Sequence, residues 1–69
     1  MSTISSYKEA LAGMEDLTKG TAKWDEALLK TNEHAFDLIN QFDELAGKYH
    51  FEDGKVVFDE KALEEVEQL

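Results

Sequence analysis

The sequence of 69 residues contains no cysteine and no arginine, so its seven positively charged residues at neutral pH are all lysines. Without cysteine, no disulfide and no cysteine-based zinc site can hold a small fold together. Without arginine, the bidentate contacts to phosphate and guanine are missing, and the excess of acidic side chains repels a phosphate backbone. We therefore expect no direct binding of nucleic acid.

Long apolar runs are missing as well. No stretch approaches the roughly 20 apolar residues that span a bilayer, and the first ten residues lack the basic and apolar regions of a secretory signal. The absence of cysteine fits a reducing compartment. We expect a cytoplasmic protein that does not engage membranes, with residues 1–69 forming one domain whose net stability is a few kcal/mol.

The residue types used in catalysis and metal binding are present but unsuitably spaced. The serines stand together in the first six residues, and no thiolate is available as a nucleophile. His34 has no second histidine four residues away. A calcium loop centred on Gly54 would need Tyr49 and Phe51 as ligands at its first and third positions, which their side chains do not suit. We expect no catalytic residue, no bound metal and no cofactor.

The longest helical pattern runs from Thr21 to Tyr49 and predicts one long amphipathic helix. Gly47 can either cap this helix at Ala46 or lie inside a last turn that ends at Tyr49, and the sequence does not decide between the two ends. Apolar or small residues separated alternately by four and three positions form its main stripe: Trp24, Leu28, Thr31, Ala35, Leu38, Phe42, Leu45 and Tyr49. A second stripe beside it contains Leu29, Phe36, Ile39 and Ala46.

A shorter pattern of the same kind over residues 4–18 predicts a first helix. Ser6 and Glu9 have the spacing of a capping box, which places the helix start near Ser6, although a start at Ser2 or Thr3 would keep Ile4 inside the helix. We expect Gly13 to permit close packing between helices. Thr21 follows a glycine and can cap the second helix, so the first helix should fold back on the second.

Asp53-Gly54 is the strongest local signal and predicts a hairpin with a two-residue turn, in which Phe51 opposes Val56. Asp59 can cap a third helix, which we expect to lie along the uncovered half of the second. The hairpin face that should close over the helices contains Tyr49, Phe51, Val56 and Phe58. The apolar side of the third helix contains Ala62, Leu63, Val66 and Leu69. The predicted fold is mainly α, a small helical bundle with a long central helix in the order α-α-β-β-α.

Charge is the most informative feature for function, because 16 acidic residues against seven lysines give a net charge of −9. Fixed negative charge on a rigid helix can attract a basic surface on another protein rapidly and in a salt-sensitive way. The alternative is that these acidic side chains are only solvated and bind no partner, which explains the same pattern. The acidic residues expected to face a partner are Glu26, Glu33, Asp37, Glu44, Glu60, Glu64 and Glu67.

From this charge we expect a non-catalytic interaction protein that binds and inhibits a partner with a basic, nucleic-acid-binding surface, as a nucleic-acid mimic. An accessory factor of a phage or another mobile element would suit the small size. The alternative is a structural or adaptor subunit that self-associates, as a homodimer for example, through the apolar side of the long helix. That surface would consist of Trp24, Leu29, Phe36 and Ile39.

Overall fold

The computed structural model describes residues 2–68, with side chains from residue 4 onward. The predicted order α-α-β-β-α is confirmed, as is the long central helix. Leu69, predicted for the apolar side of the third helix, lies outside the described residues. The elements are helix α1 (Ser2–Glu15), helix α2 (Ala22–Gln41), a 3-10 turn (Asp43–Leu45), strand β1 (Tyr49–Glu52), strand β2 (Lys55–Phe58) and helix α3 (Glu60–Glu67).

The link between α1 and α2 uses the predicted cap. Thr21 has extended backbone, and its hydroxyl oxygen accepts a hydrogen bond of 3.3 Å from the amide of Trp24. Helix α1 ends at Glu15, short of the predicted Thr18, because the amide of Leu17 bonds the carbonyl of Met14 in a tighter turn. The short link leaves α1 packed on α2.

Gly13 does not have the packing role that the sequence suggested. A Cβ atom added at this position would meet no neighbouring atom within 4 Å. The prediction of close helix contact at Gly13 is therefore wrong, because this side of α1 faces open space.

Helix α2 ends at Gln41, earlier than both predicted ends, Ala46 and Tyr49. Phe42 adopts extended backbone with φ of −129° and ψ of 107°, and the 3-10 turn follows it. The prediction of an uninterrupted helix through this region is wrong.

The early end of α2 has a physical reason in the position of Leu45. If the helix continued, Leu45 would lie about 10 Å beyond Leu38 along the helix axis. The turn instead returns Leu45 to the core, where it and Leu38 are both fully buried. Asn40 and Asp43 are weak helix formers, so little local preference opposes the break.

The hairpin has the predicted register, with Phe51 opposite Val56. Asp53 has φ of +54° and Gly54 has φ of +87°, so both turn residues are left-handed, as a type I′ turn requires. Asparagine, aspartate and glycine tolerate this conformation best, which explains why the Asp-Gly pair specified the turn correctly.

Side chains from both long helices hold the outer edge of β2. In a hairpin with a two-residue turn, the backbone polar groups of Val56 point away from β1. The amide of Val56 donates to Oδ1 of Asn32 at 2.9 Å, and its carbonyl accepts from the hydroxyl of Tyr7 at 2.8 Å. Asn32 Nδ2 also donates to the carbonyl of Gly54 at 3.0 Å. Burial raises the pKa of the Tyr7 hydroxyl, against a smaller lowering by a backbone hydrogen bond from Phe58.

Only part of the predicted hairpin face is buried. Val56 and Phe58 belong to the core, but Phe51 is 59% exposed. Helix α2 packs on β2, so β1 is the outer strand and carries Phe51 beyond the helices. Phe51 makes an edge contact with the ring of Tyr49 at a centroid distance of 5.9 Å. The buried core contains Ile4, Tyr7, Ala35, Leu38, Leu45, Val56, Phe58, Ala62 and Val66.

Helix α3 begins as predicted, with Oδ1 of Asp59 accepting from the amide of Lys61 at 3.2 Å. It buries Ala62 and Val66. Its backbone lies against the 3-10 turn, and not along the second half of α2 as we predicted. Because α2 ends early, the turn forms the surface that α3 covers.

Candidate interaction surfaces

One side of α2 carries acidic side chains in open solvent. Glu26, Glu33 and Asp37 are all exposed. At 100° per residue they fall within about 40° of one another around the helix, and they extend over about 16 Å of its length. They lie opposite the buried stripe, so the prediction that these three residues are solvent-exposed is confirmed.

These carboxylates have no ion-pair partner in the part of the chain that the structure describes. The ion pairs within residues 4–68 join Lys8 to Glu67, Lys19 to Asp53 and His50 to Glu52. Lys23 and Lys30 are exposed on one border of the acidic side of α2 without coming within 4.0 Å of a carboxylate. The acids of α2 therefore do not contribute ion pairs to the fold.

Glu44 does not belong to this acidic side. We predicted it on the exposed face of a continuous helix, but it lies in the 3-10 turn. It is exposed there, beyond the point where the chain changes direction. Glu44 adds negative charge at that end of the molecule without extending the row on α2.

Two large apolar side chains lie among the acids of α2. Leu29 is 66% exposed and Phe36 is 45% exposed. They are seven residues apart, with Glu33 between them, so all three lie on nearly the same side of the helix. We name the surface formed by Glu26, Leu29, Glu33, Phe36 and Asp37 the α2 face.

The predicted self-association surface is divided by the fold. Trp24 is 9% exposed, and Ile39 is partly buried against the core, so neither offers much free area. Leu29 and Phe36 remain exposed. The sequence pattern made the apolar arc too broad, because these two side chains lie about 100° or more around the helix from the buried stripe of α2.

The remaining predicted partner residues lie along α3. Glu60, Glu64 and Glu67 are exposed, and they border a half-open groove of about 340 Å³ between α1, β2 and α3. Glu67 accepts a hydrogen bond from Lys8 of α1 and is its ion-pair partner. Sequence reasoning did not identify this groove, because it depends on how α1 and α3 are placed across β2.

Metal-binding geometry does not occur in the described part of the chain, where no group of three or more histidine or acidic side chains converges. His34 is half-buried on α2, and Nε2 of His50 lies 2.7 Å from a carboxylate oxygen of Glu52. The carboxylate of Asp53 accepts a hydrogen bond of 2.8 Å from Lys19, which lowers the pKa of Asp53.

No helix among the described residues has the length and apolar composition required to cross a membrane. Comparison of the chain with protein-family models, curated protein sequences and solved structures gives no match.

Proposed function

We propose that this protein docks through the α2 face on a basic surface of a partner protein and thereby blocks that surface. The observation that supports the proposal is the arrangement of Glu26, Glu33 and Asp37 in open solvent, without ion-pair partners among residues 4–68. Like charges on a protein of net charge −9 oppose the compact state. Attraction to an external cation is the interaction that these carboxylates are free to make.

Leu29 and Phe36 give such a surface an apolar centre. Interfaces combine a desolvated apolar centre, often aromatic, with a polar rim that stays in contact with water. Phe36 and Leu29 can supply the contact area, while Glu26 and Asp37 lie beside them. In this arrangement the carboxylates accelerate and orient the encounter, and the apolar side chains slow dissociation.

Inhibition would follow if the basic surface of the partner normally binds nucleic acid. Along the helix axis, Glu33 and Asp37 are separated by about 6 Å, and Glu26 and Glu33 by about 10 Å. A surface of lysine and arginine that neutralises a phosphate backbone can neutralise such a row of carboxylates as well. The protein would then compete with nucleic acid for the same cations.

The test compares two double variants with equal net charge. Glu33→Gln with Asp37→Asn neutralises the α2 face, and Glu9→Gln with Glu15→Gln neutralises two exposed acids of α1. Each pair changes the net charge from −9 to −7.

Each immobilised full-length chain is loaded with cell extract and eluted with a salt gradient. We expect the captured partner to elute at lower salt from the α2 variant only. An equal shift for both pairs would indicate unspecific ion exchange and refute the proposal.

The inhibitory part has its own measurement. The captured partner is mixed with a fluorescently labelled DNA duplex, and the unlabelled acidic protein is titrated in while fluorescence anisotropy is followed. If the two compete, the acidic protein should displace the duplex from the partner, and the α2 variant should displace it less effectively than the α1 variant. A partner that keeps its DNA while binding the protein would refute mimicry and leave docking intact.

Self-association is the second candidate, and the exposure of Leu29 and Phe36 supports it. It must overcome the repulsion between two chains of charge −9, which would bring Glu33 of each copy close to the interface. Sedimentation equilibrium over a range of concentrations, at low and high salt, separates the candidates. A dimer that persists in high salt and disappears in Phe36→Glu supports self-association, whereas a monomer throughout excludes it.

A further inference from the structure

We infer that the groove between α1, β2 and α3 accepts the long cationic side chain of a lysine or arginine from a basic protein. Its volume of about 340 Å³ is at the lower end of the range for ligand sites. A space of this size suits one or two side chains better than a large cofactor. That the occupant belongs to a protein rests on the proposed function, but the chemistry of the groove can be tested without any partner.

The inner surface of the groove is apolar. Phe58 and Tyr7 form part of its lining and are almost fully buried, and Leu11 and Leu63 are partly buried beside them. Because Tyr7 and Phe58 are only 1% and 4% exposed, the apolar surface that an occupant can contact comes mainly from Leu11 and Leu63. The hydroxyl of Tyr7 donates to the carbonyl of Val56 and is not free for an occupant. Such a lining favours the methylene chain of a lysine or arginine, which buries its stem while the charged end stays in water.

The rim on the α3 side is acidic. Glu60 and Glu64 are four residues apart, so they lie on the same side of α3. Both are exposed, and neither takes part in an ion pair within residues 4–68. A side chain whose stem contacts Leu63 would bring its cationic end to these two carboxylates.

Lys8 shows that this rim can bind an ammonium group. It extends from α1 to α3, lines the groove and pairs with Glu67. This pair occupies Glu67 and leaves Glu60 and Glu64 for a cation from outside. An anionic occupant would meet repulsion from the rim, and a neutral one would gain only the apolar contacts.

The experiment titrates the full-length protein with hexylammonium chloride, which has an apolar stem and a single cation. Backbone amide shifts are followed by two-dimensional nitrogen–proton NMR. We expect saturable shifts concentrated at Leu11, Phe58 and Leu63. Hexanol, which has the stem alone, should bind about threefold more weakly, in keeping with the modest strength of exposed charge pairs. Hexanoate should give no saturable shift in the groove.

A matched pair of variants tests the acidic rim. Glu64→Gln removes a groove carboxylate, and Glu65→Gln removes its exposed neighbour outside the groove, with the same change in net charge. We expect Glu64→Gln to weaken hexylammonium binding about threefold and Glu65→Gln to leave it unchanged. Equal effects of both variants, equal binding of hexanoate, or an absence of localised shifts would each overturn the inference.

These outcomes can be distinguished from failure of the proposed function. In one outcome, hexylammonium binds normally, but the substitutions Glu33→Gln and Asp37→Asn do not change the salt concentration at which the partner elutes. This outcome would refute docking through the α2 face and leave the groove chemistry intact. Loss of localised hexylammonium shifts, with partner elution still sensitive to the α2 variant, would refute the groove alone.

Discussion

Replacement of Asn32 by alanine tests how the hairpin is fixed to the helices. Asn32 makes two hydrogen bonds from α2 to the hairpin, accepting from the amide of Val56 at 2.9 Å and donating to the carbonyl of Gly54 at 3.0 Å. A two-stranded hairpin is only marginally stable without such support. The variant should therefore destabilise the whole fold, because Val56 belongs to the shared core.

The size of the effect follows from these contacts. Each hydrogen bond contributes about 0.5–1.5 kcal/mol net, and leaving a buried amide unpaired costs about 1–3 kcal/mol. The amide in question belongs to Val56, which has 0% exposure. Because alanine is the better helix former, the substitution also adds up to about 0.7 kcal/mol to the free energy of unfolding. A net loss of about 2 kcal/mol results, a large part of the total stability of a domain this small.

Urea unfolding followed by the fluorescence of Trp24 gives the measurement, with far-ultraviolet circular dichroism as a second probe. Trp24 is the only tryptophan and is 9% exposed, so its emission should report loss of the packed structure. Asn40→Ala is the matched control, because Asn40 is exposed on the same helix and its side chain makes no hydrogen bond to the described residues. It should leave stability unchanged or raise it by up to about 0.7 kcal/mol.

Asn32→Asp separates the two bonds. Aspartate keeps an acceptor for the amide of Val56 but loses the donor and places a carboxylate against the carbonyl of Gly54. Protonation of that carboxylate in acid restores a donor, so the deficit relative to the native chain should shrink as the pH falls through its pKa. If Asn32→Ala and Asn40→Ala unfolded within about 0.5 kcal/mol of each other, the attachment of the hairpin through Asn32 would be refuted.

Three further changes have expected outcomes. Gly13→Ala should raise the free energy of unfolding by about 0.5–1 kcal/mol in urea, because α1 has open space there and alanine is the better helix former; a loss would show a hidden contact. Lys19 lowers the pKa of Asp53 below its ordinary value of 3.8, so their pair stabilises the fold above that pH and is lost as the pH falls through the lowered value. Asp53→Asn, which suits the left-handed turn, should therefore show a smaller fall in melting temperature on acidification; an unchanged fall would contradict this. Sodium chloride should raise the melting temperature by screening the net charge of −9, and a flat or falling temperature would contradict that.

Features that depend on a few neighbouring residues could be predicted from the sequence. The caps at Thr21 and Asp59 and the left-handed Asp53-Gly54 turn satisfy local backbone groups, so local residue types determine them. Thr31 is another example. It was predicted within the apolar stripe, and it is fully buried with its hydroxyl bonded to the carbonyl of Ala27 at 2.8 Å.

Features that depend on the space left by other elements could not be predicted. The end of α2 at Gln41 is set by the return of Leu45 to the core, and periodicity alone continues past that point. Asn32 stands on the border of the apolar arc, where nothing in the sequence indicates a strand edge within reach. Leu29 and Phe36 have the spacing of core residues, but they lie on a side of α2 that the other described elements leave exposed.

The candidate surfaces show the same division. Exposure of Glu33 and Asp37 follows from helical periodicity, but the absence of ion pairs at these residues, within the part described, depends on lysine positions in space. The groove beside Glu64 requires α1, β2 and α3 together. Sequence therefore indicated which acids are exposed, while only coordinates indicate which of them are free and which border a cavity.

Stability and docking make opposite demands on the α2 face. The carboxylates of Glu33 and Asp37, which form no ion pair within residues 4–68, repel the rest of a chain of charge −9. Their neutralisation should therefore raise the melting temperature. Neutralising Glu9 and Glu15 should do the same, since those acids are exposed too. If the acids serve solubility alone, the two pairs should be equivalent in every assay. If the α2 face is a docking surface, the two double variants should have the same melting temperature but should differ in the salt concentration that releases the partner.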